Sequence, residues 1–201
     1  MDLQTYFDQP LTGTLNRQGS ETDWLDFCEL EISRTLGFAD PFYFPHYHVQ
    51  FDVLTGLYQV QVKVRDFGVE RRIAALRVVM PNREILGKIQ VKSIPVDSAS
   101  ITVSDYPRLK STIDHLNTTL PDFHQHFLSL FTGDFGVLSF GDAAVPLAYV
   151  GTGWGDGIYE VDKLISPDSS PIGGEIIFIE ADPYLMEDVE PFEIINRETK
   201  P

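Results

Sequence analysis

Gly151-Thr-Gly-Trp-Gly-Asp-Gly157 is the segment whose residue types and spacing come closest to chemistry. If it is extended, its four glycines share one side of a sheet, and Thr152, Trp154 and Asp156 share the other, because side chains alternate along a strand. The glycine side would admit a close backbone, ring or ligand. The opposite side would set an indole beside a carboxylate, a pairing that suits a sugar, a cation or an Arg-bearing peptide. If the segment is a turn, the glycines supply positive φ and re-aim the chain, and Trp154 fills the core beside a tight hairpin. The pattern leaves both readings open.

His46-Tyr-His48 and His124-Gln-His126 are both H-x-H. On a strand, positions i and i+2 share a face and can chelate a metal, whereas on a helix they stand about 200° apart. The first pair adjoins a strand pattern and the second lies in a helical one. Spacing defines no third ligand, so no metal and no other cofactor is expected. Cys28 is the only cysteine, which excludes an intramolecular disulfide and fits a reducing cytoplasm. Without an assigned histidine partner it reads as a structural thiol rather than a nucleophile. A phosphate-binding G-x-x-x-x-G-K-[ST] loop is absent. A G-x-G-x-x-G pattern started at Gly151 fails at Asp156, and G-x-S-x-G around Ser139 fails at Val137.

Strands must position most of these residues. Tyr47–Val53 alternates, and Leu57–Val64 does so strongly, with Tyr58, Val60, Val62 and Val64 on one face and Gln59, Gln61 and Lys63 on the other. Asp66-Phe-Gly68 reads as the turn of a hairpin whose second strand runs over Arg71–Met80, and a shorter strand follows over Lys88–Ile94. Leu109, Ile113, Leu116 and Leu120 at i, i+4, i+7 and i+11 predict a helix capped by Ser104 or Asp105. Phe123, Phe127 and Phe131 predict a second, short one. Short apolar strands return over Phe135–Phe140, Val145–Gly151, Ile158–Leu164 and Glu175–Glu180, with a loop over 166–174. Strands, then helices, then strands, without β-α alternation, predict an α+β fold. It is mainly antiparallel sheet, sandwich-like, with one or two helices near residues 105–131. Residues 1–201 read as a single domain, with an acidic, Pro-interrupted tail from about 183 loosely ordered over the surface.

The 201 residues include 30 acidic and 15 basic ones, a formal charge of −15. With 43% hydrophobic residues and 12% aromatics, an acidic disordered tail protein is excluded. Nucleic acid is not an expected partner, because phosphate binding needs a dense field of Lys and Arg. An anionic membrane surface is disfavoured for the same reason, and no apolar run approaches a membrane span. The first residues carry neither a positive n-region nor an apolar h-region, so no signal peptide is expected, and the chain reads as soluble and cytoplasmic. Residues 101–201 hold 17 acidic and 5 basic residues, whereas 63–92 gathers eight cations. The cationic stretch either pairs with the acidic half or forms an ordinary solvated face.

Gly153-Trp154-Gly155-Asp156-Gly157, followed by Tyr159 and Val161, resembles the C-terminal signature of a bacterial family catalogued only as a domain of unknown function. Gly37-Phe-Ala-Asp40-Pro41 resembles that family's early G-x-x-x-D-P segment. Thr55–Val60 and Arg72–Val78 resemble two of its strands. Val96-Asp97 followed by Ser104-Asp105 resembles a V-D-x-G…D stretch. The chain departs from the pattern with Ser98-Ala99 where the family has Ala-Gly. The resemblance covers about 30–182 and implies a bacterial, single-domain protein but no activity. It implies candidate binding positions at Asp40, Asp97, Gly153, Trp154, Gly155, Asp156, Gly157 and Tyr159. Asp40, Asp97 and Asp156 either gather in one cleft as metal ligands or an acid/base pair, or each caps a local turn.

Three functions are consistent with these residues. The leading expectation is a non-enzymatic, immunity-like protein-binding domain that holds a basic partner on its acidic half with help from Trp154. The second is a hydrolase or metal-dependent enzyme using the three aspartates near the glycine motif. The third is a small-ligand sensor built on Trp154.

Overall fold

Alternation in the sequence and the connections between strands together explain the architecture. The computed structural model describes residues 1–46, 48–153 and 155–178. In chain order they form helix α1 (Leu3–Phe7) and strands β1 (Ser20–Glu21), β2 (Leu25–Ile32), β3 (Thr35–Ala39) and β4 (His48–Asp52). Strands β5 (Gly56–Asp66), β6 (Arg71–Val79), β7 (Gly87–Val96) and β8 (Ser100–Asp105) follow, then helices α2 (Tyr106–Thr119) and α3 (Phe123–Ser129). The last described elements are β9 (Phe135–Phe140), β10 (Val145–Gly151), β11 (Gly157–Ile165) and β12 (Pro171–Ile177). No helix among the described residues is long and apolar enough to cross a membrane.

Every pair of named strands is antiparallel. A seven-stranded sheet has the order β5-β6-β12-β11-β7, with β1 and β2 both lying along the free side of β5. A five-stranded sheet has the order β4-β3-β8-β10-β9. Their facing sides form one core. Tyr58, Val60, Val62, Leu76, Val78, Val161 and Ile176 of the larger sheet meet Leu36, Phe38, Ile101, Val103 and Val150 of the smaller one. The fold is therefore α+β, mainly antiparallel and sandwich-like, as the alternation predicts. Helices α2 and α3 cover the other face of the smaller sheet through Tyr106, Leu109, Ile113, Phe123 and Phe127, packed on Phe44, Phe140 and Leu147. None of the described elements covers the outer face of the larger sheet.

The expected hairpin is β5–β6, paired from Gln59↔Val79 to Asp66↔Arg71 with a register shift between Lys63 and Val64. Its turn is held by Asp66, which accepts from the Gly68 N–H at 2.7 Å and from Arg71 Nε at 2.8 Å. Four strands are not evident from alternation, and one of them, β1, is only two residues long. In β2 a bulge between Asp26 and Cys28 breaks the period. Strands β3 and β8 are buried on both faces, one toward the sandwich and one under α2. In β8 that second face is polar, and Thr102 is buried because its hydroxyl donates to the Ala39 carbonyl at 2.8 Å. In β3, Gly37 lies beneath α2, where a Cβ would come within 2.5 Å of the Tyr106 Cβ. The loop expected to Gly174 ends earlier, at Pro171, since Gly173 and Gly174 pair with Val79 and Val78. The tail from about 183 lies outside the described residues.

Candidate functional site at the sheet corner

The two sheets share a corner built from two paired strands that bend together. Strand β7 pairs with β11 in the larger sheet, and β8 pairs with β10 in the smaller one. The chain crosses between sheets at 97–99 on one strand and at 152–156 on the other. The glycine motif is thus the longer side of a bent ladder, flanked by the pairs Gly151↔Ser100 and Gly157↔Val96. Gly153 (φ 66°) and Gly155 (φ 89°) take the left-handed conformation that this crossing needs. On both sides of residue 154 the glycine conformations are those of a turn and not of an extended strand. Trp154 lies outside the described residues.

Asp40 is the buried centre of the corner, with 0% exposure. Its Oδ2 accepts from the backbone N–H groups of Asp97 and Ser98 at 2.5 and 3.0 Å, and its Oδ1 accepts from Phe42 N–H at 2.6 Å. Three N–H donors on one carboxylate are enough to hold it in a dry site. Asp156 is exposed and accepts from Ala99 N–H at 3.2 Å. Asp97 is exposed and accepts from the Tyr43 hydroxyl. That bond, burial and the nearby charges of Asp97, Asp40 and Asp156 push the Tyr43 hydroxyl above its usual pKa. Thr152 and Tyr159 both donate to the Gly155 carbonyl, at 2.5 and 2.9 Å. Tyr159 is buried, and that burial raises its pKa.

The three aspartates therefore do meet at one place, but each carboxylate is engaged in joining segments of the corner. Asp40 ties the turn after β3 to the 97–98 crossing, and Asp156 ties the glycine motif to the same crossing. No group of three or more His, Cys, Asp or Glu side chains that could hold a metal occurs among the described residues. His46 sits in the turn before β4, and only His48 is in the strand. The His48 ring stacks on Tyr106 at 3.9 Å, and burial lowers its pKa. His124 and His126 lie in α3, where their spacing points them apart. Cys28 is partly buried, and burial raises its thiol to about 12, which makes it a poor nucleophile.

Beside the corner lies a cavity of about 540 Å³, lined by Glu70, Arg72, Ala99, Asp134, Gly153 and Gly155 among others. Arg72 bridges it, ion-paired with Glu70 at 2.8 Å and donating to the Gly153 carbonyl at 3.3 Å. No protein-family model, curated protein or solved structure matches the chain.

Residues that sequence reasoning passed over lie on the outer face of the larger sheet. Trp24 packs against two cations, with Arg77 at 4.1 Å and Lys63 at 5.4 Å from its ring centre. The cationic stretch pairs with the acidic half only in part. Lys88 pairs with Glu175 and Arg83 with Asp168 in the acidic half, while Lys63 and Arg65 pair with Glu21. The available signal was the polar side of β5, where Gln59, Gln61 and Lys63 stand at every second position, whereas on β6 Arg77 lies between Ala75 and Val79 on its face. Trp24 precedes a bulged strand and gave no such sign.

Proposed function

We propose that this chain is a non-catalytic binding domain that holds a basic protein partner on the open face of its seven-stranded sheet, as immunity-type proteins sequester theirs. The observation that carries this reading is an acidic and apolar groove on β11 and β12. Ile158 and Ile177 are 76% and 42% exposed beside Glu160 and Asp162, neither of which has an ion-pair partner among the described residues. The groove encloses about 440 Å³ and is completed by Tyr159 and Phe178. Exposed branched side chains rimmed by uncompensated carboxylates favour a partner with an apolar centre and a cationic rim. Membership of the bacterial family that the glycine motif resembles belongs to the same proposal, with the corner shaping the end of this face.

Copurification from the native host, followed by calorimetric titration of the recovered protein, tests the proposal. Ile158→Lys and Glu160→Lys are each expected to weaken binding by about tenfold or more, as central interface positions do. Val137→Lys, at an exposed apolar position of the smaller sheet, is expected to bind as wild type does. An acidic partner, or equal affinity in all variants, would overturn it.

A further inference from the structure

The outer face of the larger sheet carries a second groove, centred on β6 rather than on β11. It encloses about 330 Å³, with Trp24, Lys63, Ala75, Arg77, Lys88 and Ile177 among its walls. Cross-strand registers place its residues in two rows. Ala75 faces Lys63 on β5 and Ile177 on β12, and Arg77 faces Gln61 and Glu175. Ala75, Ile177 and Ile85 make one side apolar, and the Trp24 ring makes another.

Charge in this groove is unevenly matched. Lys63 pairs with Glu21 at 2.7 Å, and Lys88 pairs with Glu175. Arg77 pairs with no carboxylate among the described residues. Its Nε and Nη2 donate to Gln61 Oε1 at 3.1 and 2.6 Å, and Gln61 in turn donates from Nε2 to Asp26 at 2.8 Å. Nη1 has no partner among the described residues. One face of the guanidinium stacks on Trp24. Burial lowers the Arg77 pKa, although the nearby Glu175 charge opposes this. A partly desolvated guanidinium, locked in plane by an amide and an indole, is a preorganised seat for a planar anion. One surplus cation matches one negative charge.

We propose that this groove binds a compact monocarboxylate with an apolar or aromatic body, its carboxylate on Arg77 and its body between Trp24, Ala75 and Ile177. The site goes beyond the protein-binding reading and does not depend on it, since its charge and its main contacts come from β5, β6 and Trp24. It transfers the small-ligand expectation from Trp154 to the other tryptophan.

Trp24 reports directly on occupancy. In a Trp154→Phe background its fluorescence is titrated with benzoate, benzyl alcohol and inorganic phosphate. The expected result is saturable quenching by benzoate, with the alcohol and phosphate each binding about tenfold more weakly. Arg77→Gln and Arg77→Lys should both lose at least that factor, because an ammonium cannot reproduce the planar fork. Ala75→Leu fills the floor without altering charge and should abolish the response while thermal unfolding stays cooperative, so the test survives if the arginine variants do not fold. Absence of saturation by benzoate overturns the site. Equal binding of benzyl alcohol overturns the role of the carboxylate, and equal binding of phosphate overturns the role of the apolar body.

Discussion

Ala99 adopts φ of 52°, a conformation that costs an L-residue about 1–2 kcal/mol because Cβ approaches the following carbonyl. The strain is held in place by neighbours, since Ala99 N–H donates to Asp156 and the Ala99 carbonyl accepts from Thr152 N–H at 3.0 Å. Ala99→Gly should therefore stabilise the protein by about 0.5–1 kcal/mol, the relieved strain less the extra freedom of glycine in the unfolded chain. Urea denaturation would show a higher midpoint with an unchanged slope. A lower midpoint would mean that the alanine methyl makes packing contacts worth more than the strain. Asp40 illustrates the opposite case, with full burial of a carboxyl group made tolerable by three backbone donors.

Helices α2 and α3 owe their place to aromatic packing more than to capping. Asp105 occupies the N-cap of α2, yet its side chain bonds Ser33 instead of the helix N–H groups. Asp122, the N-cap of α3, likewise makes no side-chain cap bond. The compensation is a cluster of rings around Phe127, which is 1% exposed and lies 5.0–5.9 Å from Phe131, Phe140 and Phe44. Phe127→Ala should cost about 3–5 kcal/mol, the range for deleting a buried ring and leaving a cavity. Thermal melting followed by circular dichroism would register a large drop. A loss under about 1 kcal/mol would mean that α3 contributes little to the fold. This part of the molecule was legible in the sequence, because the i, i+4 phenylalanines and leucines show which face must be covered. Strands β3 and β8 were not, because burial on both sides removes the alternation that identifies a strand.

At the scale of the whole molecule, the charge imbalance opposes compaction. The formal charge is −15, and most ion pairs among the described residues are at least partly exposed and so contribute little individually. Raising NaCl from about 10 mM to about 150 mM shortens the Debye length from about 30 to about 8 Å and screens that repulsion. The melting temperature should rise over this interval. A fall would show that the ion pairs within the larger sheet, such as Arg71–Asp66 and Lys88–Glu175, outweigh the repulsion. The acidic half is not one side of the molecule. Strands β11 and β12 of that half lie between β6 and β7 of the other, so acidic and cationic residues alternate across a single sheet.

Local periodicity and turn chemistry by themselves determined the β5–β6 hairpin, the two helices and the antiparallel α+β class. Each depends on side chains near in sequence, where propensity and alternation act directly. Only the tertiary structure decided that Asp40, Asp97 and Asp156 meet, that backbone donors engage Asp40 and Asp156 there while the Tyr43 hydroxyl engages Asp97, and that Trp24, Lys63 and Arg77 share a groove. Those outcomes depend on which strands become neighbours and where two paired strands bend from one sheet into the other. Strand order and corner geometry are set by long-range packing, which leaves no period in the sequence.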